Sequence, residues 1–176
     1  HQAASAMTYY RDTFSTPLGA FSIAVDDTGA VAATAFGTGD ALRRRLGAVR
    51  LEADAAAGRH AREQVVAYFA GERRTFDLSL MLRGTDFQTR VWAELRGIPF
   101  GETRSYGALA RDLGSAGASR AVGRANAMNP VCLIVPCHRV IGADGSLAGF
   151  AFGEEIKRLL LEHEGAWPTS QAKPPL

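Results

Sequence analysis

Residues 105–130 read SYGALARDLGSAGASRAVGRANAMNP, and the punctuation of this stretch decides the fold of the chain's second half. Ser105 is a good helix N-cap, and the apolar spacing from Tyr106 to Leu113 predicts a helix that Gly114 closes. After a short Ser/Gly/Ala connection a second helix is expected over roughly Ser119 to Met128, stopped by Asn129-Pro130. Two short helices around a tight small-residue turn outline a helix-turn-helix, a common pattern that assigns no function by itself.

Working outward, Phe87, Val91, Trp92 and Leu95 form the apolar stripe of a helix that begins after Gly84-Thr85 and ends before Gly97-Ile98-Pro99. Downstream, Val131 to Ile141 reads as an apolar strand interrupted by Pro136-Cys137-His138-Arg139. Gly142-Ala143-Asp144-Gly145 is a turn into Leu147 to Phe152, and a last helix over about Glu154 to Glu164 opens with two acids and ends at Gly165. Toward the N-terminus, the alternating segment Thr8 to Asp26, broken at Pro17-Leu18-Gly19, and the run Val31 to Phe36 predict a small antiparallel sheet. Helices are expected at Asp40 to Leu46 and Arg62 to Ala70. The expected fold class is α/β with two domains, residues 7–82 and 83–168. His1 to Ala6, small and polar ahead of Met7, read as an appended remnant, and residues 169–176 as a loose tail.

The composition of the 176 residues, 47% hydrophobic and 22% charged, excludes a disordered, fibrous or disulfide-rich chain. The longest apolar run, Val65 to Ala70, is far short of the about 20 residues that span a bilayer, so no membrane partner is expected. Two cysteines and no signal-like opening point to a reducing cytoplasm. The net charge of +2 conceals an asymmetry. Residues 1–82 carry 9 basic and 9 acidic side chains, whereas residues 104–139 carry Arg104, Arg111, Arg120, Arg124 and Arg139 against Asp112 alone. Arginines on short helices beside a turn suit a phosphate backbone, although a solvated surface of ordinary ion pairs has the same composition.

Cys137 beside His138, after a proline and inside an apolar run, is the most chemical segment. A free thiol with a pKa of about 8.5 needs a base or a positive environment to act as a nucleophile near neutrality. Cys132, within Val131-Cys132-Leu133-Ile134-Val135, suits a small buried hydrophobe instead. The spacing Cys132-x4-Cys137-His138 is not a zinc pattern, and Gly37-Thr38-Gly39 lacks the Lys-Ser/Thr of a phosphate loop, so neither metal nor cofactor is expected.

Ile134-Val135-Pro136-Cys137-His138-Arg139-Val140-Ile141 resembles the active-site signature of the O6-alkylguanine-DNA alkyltransferases. The likeness extends through Phe87-Gln88-x2-Val91-Trp92, Ile98-Pro99-x-Gly101-Glu102-Thr103, Ser105-Tyr106-Gly107-x-Leu109-Ala110, Ser119-Arg120-Ala121-Val122-Gly123, Asn129-Pro130 and Leu161-Glu162-His163-Glu164-Gly165. It covers residues 85–165, whereas the N-terminal half is similar to the family's variable domain only in length and element type. The resemblance implies a ribonuclease H-like N-terminal sheet with helices, and a C-terminal winged helix-turn-helix that enters the minor groove and flips the damaged base out of the duplex. It further implies that Cys137 accepts the alkyl group from O6-alkylguanine, and from O4-alkylthymine, once per molecule.

Carried over residue by residue, His138 is the base acting through water, Glu164 polarises it, Asn129 braces the active-site turn, and Tyr106 helps rotate the nucleotide and donates to the guanine. Arg120 enters the base stack, with Ala118, Ser119, Ala121, Gly123 and Arg124 against the DNA. Val140, Phe150, Ala151, Phe152 and Lys157 wall the substrate pocket. The expected partner is double-stranded DNA containing O6-alkylguanine, met by a monomer that binds cooperatively on DNA. Two features depart from the family pattern. Gly149-Phe150-Ala151-Phe152-Gly153 stands where Tyr-x-Gly-Gly is common, so Phe152 is expected to narrow the pocket against bulky adducts, and Leu159 or Leu160 replaces a frequent tryptophan. The alternatives are a lesion-recognition or regulatory DNA-binding module without chemistry, and a Cys-His hydrolase, which would need an oxyanion hole but no arginine-bearing helix.

Overall fold

The computed structural model describes residues 7–168, so the readings of His1 to Ala6 and of residues 169–176 lie outside the described residues. The chain forms two compact units that divide between Leu82 and Arg83.

In the first unit, β1 (Thr8–Thr16) and β2 (Gly19–Val25) form a hairpin across Pro17-Leu18, and β3 (Val31–Phe36) pairs antiparallel with β2. The Asp26 carboxylate holds the second turn, accepting the N–H groups of Thr28 at 2.9 Å and Ala30 at 3.0 Å. The sheet is not purely antiparallel as the alternation predicted. A fourth strand, β4 (Arg50–Ala53), joins β1 in parallel and gives the order β3-β2-β1-β4. This strand is mostly exposed at the sheet edge, so it lacks the buried alternation that marks a strand in sequence. Helix α1 (Gly39–Leu46) packs on β2 and β3, and α2 (Arg59–Phe69) packs on β1, where Arg62 pairs with the buried Asp12 at 3.1 Å. Phe21, Ile23, Val65 and Tyr68 are among the side chains of this core.

The second unit is mainly helical. Helix α3 (Asp86–Arg96) starts with a full capping box between Thr85 and Gln88, and buries Val91, Trp92 and Leu95. The Trp92 indole N–H donates to the Ala125 carbonyl at 2.8 Å, fixing α3 to α5 (Ser119–Ala127). Between them, α4 (Tyr106–Asp112) is capped by the Ser105 hydroxyl and packs on α5, with Leu109, Ala110, Val122 and Ala125 buried. A last helix, α6 (Glu154–His163), carries Glu154 and Glu155 in its first turn as the helix dipole favours. Among the described residues the protein is thus mixed α/β, with a four-stranded sheet, a two-stranded pairing and six α-helices, and no described helix is long and apolar enough to cross a membrane.

Val131 to Ile141 departs from its strand-like reading. It forms a tight loop, then a single 3-10 turn over Cys137–Arg139, and only Val140–Ile141 is strand (β6), paired in parallel with Arg104–Ser105 (β5). Every residue of the run is buried, which explains its apolarity without a ladder.

Candidate active site

The loop that carries Cys137 is built by reversals that a strand cannot make. Asn129 clamps both its ends, accepting from the Val131 N–H at 3.0 Å and donating to the Val135 carbonyl at 2.8 Å. Inside the clamp Leu133 has φ 73°, and the Ile134 N–H reaches the Cys132 carbonyl at 2.9 Å. This is a γ-turn of the uncommon hand, in a backbone region that costs a non-glycine residue about 1–2 kcal/mol. At Pro136, with φ −82° and ψ 65°, a γ-turn of the common hand follows as the Cys137 N–H bonds Val135 at 2.8 Å. Two successive reversals therefore bring Cys137 to the start of the 3-10 turn.

His138 and Arg139, which follow Cys137, belong to a buried polar chain. His138 Nε2 is 2.8 Å from Glu164 Oε2, and Arg139 donates to both oxygens of the same carboxylate, through Nε at 2.8 Å and Nη2 at 2.9 Å. Its third donor, Nη1, goes to the Ile98 carbonyl at 2.7 Å. Burial would raise the Glu164 pKa, but His138 and Arg139 outweigh it and hold the carboxyl well below its ordinary range. Burial lowers the His138 pKa, against the pull of Glu164, so the imidazole is neutral beside an Arg139–Glu164 pair that is already balanced. With the carboxylate accepting, the ring proton sits on Nε2, leaving Nδ1 as an unprotonated, buried nitrogen with no hydrogen-bond partner.

Lys157, on α6, is fully buried, and its ammonium also lacks a hydrogen-bond partner. It stands 5.8 Å from the centre of the Tyr106 ring. Burial lowers its pKa to about 8, opposed by attraction to Cys137 and Glu154. The Tyr106 pKa is raised, first by burial and then by the charge of Cys137. Cys137, itself only 4% exposed, thus has a buried cation and a phenol among its neighbours and His138 next to it in the chain.

Tyr106 opens onto a cavity of about 560 Å³ lined by Ser119, Arg120, Gly123, Arg124, Ala127, Ala148 and Gly149 as well. Its hydroxyl donates to the Ala148 carbonyl at 3.2 Å. Gly149 has φ 95°, and a Cβ there would lie 2.9 Å from the Tyr106 hydroxyl. Gly149→Ala is therefore expected to lower stability by about 1–2 kcal/mol in urea denaturation, from backbone strain alone, and unchanged stability would contradict this packing.

Of the residues singled out in sequence, His138 and Glu164 come together, His138 following Cys137 in the 3-10 turn, with Lys157 beside Tyr106 and Asn129 bonded to the loop. Tyr106, Ser119, Arg120, Gly123 and Arg124 line the cavity. Ala118 and Ala121 lie at the start of the same helix but outside that lining, and Val140, Phe150, Ala151, Phe152 and Lys157, which lie elsewhere in the unit, are not part of it either. Phe152 packs edge-on against Phe150 at 5.7 Å. Sequence reasoning counted Arg139 with the basic patch, whereas the structure buries it against Glu164, and it did not single out Asn126. Arg139 was legible as a charge inside an apolar run, and Asn126 as a polar group four residues from Val122 on the buried face of a helix. Asn126 donates to the Cys137 carbonyl at 3.2 Å.

Residues 86–166 match the family described as 6-O-methylguanine DNA methyltransferase, DNA binding domain. The methylated-DNA--protein-cysteine methyltransferase of Methanosarcina acetivorans is 56% identical over 108 residues, an alignment spanning 61% of this chain and 69% of the relative. The Mycobacterium tuberculosis protein of the same name is 61% identical over 102 residues, spanning 58% of this chain and 62% of that one. Among solved structures, M. tuberculosis OGT in complex with DNA is similar at a TM-score of 0.80 with 43% identity, covering 90% of this chain and 93% of that one. The O6-methylguanine-DNA methyltransferase of Pyrococcus kodakaraensis is similar at 0.62 with 27% identity, covering 89% and 99%.

Proposed function

Because this chain belongs to the 6-O-methylguanine DNA methyltransferase family, we propose that it repairs DNA by moving the alkyl group of O6-alkylguanine onto Cys137. The observation that carries the reading is a nucleophile backed by the buried His138–Glu164 pair and neighboured by an arginine-lined cavity. A recognition module without chemistry has no use for that polar chain. A hydrolase has no use for Arg120 and Arg124 on a helix start.

His138 Nδ1 takes the thiol proton by way of a water, and Glu164 keeps the opposite ring nitrogen protonated so that this lone pair stays available. Lys157, a cation within reach of Cys137, favours the thiolate as the thiolate favours its ammonium. The sulfur attacks the alkyl carbon in line. The C–S bond forms as the C–O6 bond breaks, its electron pair goes to the guanine, and a proton is taken up there. Tyr106 donates to the inserted base. The thioether product is not reversed by thiol exchange or water, so each molecule acts once. O4-alkylthymine offers the same leaving group and is a second substrate.

On the DNA side, α4 and α5 act as the helix-turn-helix of a winged helix-turn-helix. Small residues at Ala118, Ser119, Ala121 and Gly123 let the helix approach the minor groove while Arg120 enters the base stack and Arg124 meets phosphate. Base extrusion, at a few kcal/mol, is offset by these contacts and by the pocket walled by Val140, Phe150, Ala151, Phe152 and Lys157. The N-terminal unit is read as ribonuclease H-like, and the protein as a monomer that assembles cooperatively only on DNA.

The test is intact-mass measurement after incubation with a duplex containing O6-methylguanine. One increment of about 14 Da per chain, mapped to Cys137, is expected, since a methyl group replaces one hydrogen. Catalytic turnover without a mass change would mean a hydrolase. Binding without either would mean a recognition module.

A further inference from the structure

Resting on the reading above, in which His138 is the base, we infer that Arg139 is a positioning residue for the transfer. By claiming the charge of Glu164 it leaves His138 a neutral ring whose Nδ1 is open to a proton. The carboxylate is shared between two donors. Glu164 Oε2 lies 2.8 Å from His138 Nε2 and 2.9 Å from Arg139 Nη2, while Oε1 accepts from Arg139 Nε at 2.8 Å. The remaining side of the guanidinium donates to the Ile98 carbonyl at 2.7 Å, and its central carbon lies 5.8 Å over the centre of the Phe100 ring. Held on three sides, the charge does not swing off the carboxylate.

The charges around His138 decide where its proton rests. A lone buried carboxylate bonded to an imidazole favours the charged ring, in which Nδ1 carries a proton and accepts none. Arg139 meets that carboxylate with a permanent positive charge, since a guanidinium keeps its proton in proteins. Lys157 also opposes a charge on the ring, but its Nζ has no hydrogen-bond partner, so of the two cations only Arg139 bonds Glu164. Helix α6 packs on the turn, and its Glu154, Glu155, Glu162 and His163 are exposed, with Arg158 paired to Glu155 and Glu162. Helix α3 packs there too, and its Asp86, Arg90, Glu94 and Arg96 are exposed. The buried charges acting on the ring are therefore Glu164, Arg139 and Lys157.

The test reads His138 directly, without DNA, from the ring nitrogen signals of full-length protein carrying nitrogen-15 histidine, assigned by their loss in His138→Gln. In the unsubstituted chain a neutral ring with its proton on Nε2 is expected at neutral pH. Arg139→Met is expected to move the titration of that ring upward by at least about one pH unit, and Arg139→Lys, which keeps the charge without the fork, by less. Arg139→Met combined with Glu164→Gln removes both charges and is expected to return the ring to neutrality. With a charged ring the thiol must lose its proton to solvent, so single-turnover methyl transfer by Arg139→Met is expected to rise at least about fivefold from about pH 6 to about pH 8, against less than about twofold in the unsubstituted chain. A ring that stays neutral in Arg139→Met, or stays charged in the double variant, would overturn the role of Arg139, as would a rate lowered equally at every pH. If Arg139→Met does not fold, Arg139→Gln carries the same comparison, as it keeps a donor for the carboxylate without the charge. An unsubstituted chain that takes no methyl group overturns the proposed function itself, a result distinct from the ring measurement, which needs no DNA.

Discussion

A Cys137→Ser chain is expected to gain no mass from an O6-methylguanine duplex and to transfer at least about 1,000-fold more slowly, while binding the same DNA within about twofold. A serine hydroxyl does not ionise near neutrality, and neither the Lys157 ammonium nor a neutral His138 makes it a thiolate equivalent. Binding is spared because Arg120 and Arg124 line the cavity and Cys137 is not among its lining residues. Single-turnover kinetics and a gel shift on one preparation separate the two effects. A mass increment that persists in Cys137→Ser would move the acceptor to another residue.

Glu164→Ala is expected to destabilise the second unit by about 3–5 kcal/mol, the largest stability effect at this site. The carboxylate accepts from His138 and twice from Arg139, all three groups being buried. Its removal leaves a guanidinium with only the Ile98 carbonyl. Glu164→Gln keeps the shape but not the charge, and falls between. The sign of the acid response follows. An unfolded carboxyl takes a proton near 4.5, whereas the folded Glu164 resists it to much lower pH, so stability present above 4.5 is lost as the pH falls below it. The unfolded histidine protonates near 6.5 while folded His138 does not, so a first loss begins below 6.5. Urea midpoints measured from pH 7 down to pH 3 should show both stages in the unsubstituted chain, and Glu164→Gln should lack the lower one. A midpoint that rises on acidification would contradict an ionised Glu164.

The helix pair was legible because its stops are chemical. Ser105, Gly114 and Asn129-Pro130 permit few alternatives, and α4 and α5 fall within two residues of the expected bounds. The loop from Val131 to Val135 was not legible, since an apolar run reads alike whether its burial comes from a sheet or from helices packed around it. Nothing in the composition foretells a left-handed Leu133, which is held by Asn129 and by packing rather than by its own preference. The pairing of His138 with Glu164 spans 26 positions and came from the resemblance, not from spacing. Arg139 and Asn126 show what sequence reading overlooks most readily, polar groups in apolar surroundings whose partners are distant in the chain.

The 4% exposure of Cys137 bears on how long an unused molecule keeps its worth. A protein that reacts once is a stored reagent, and the lesions that a population can clear are capped by its intact thiols. An open thiolate would be depleted by peroxide and stray electrophiles in proportion to time, whether or not any DNA was damaged. A sulfur tucked behind two chain reversals is reached far more slowly by such reagents, whereas a base inserted into the site is delivered to it. Its consumption therefore follows the number of lesions rather than the age of the molecule.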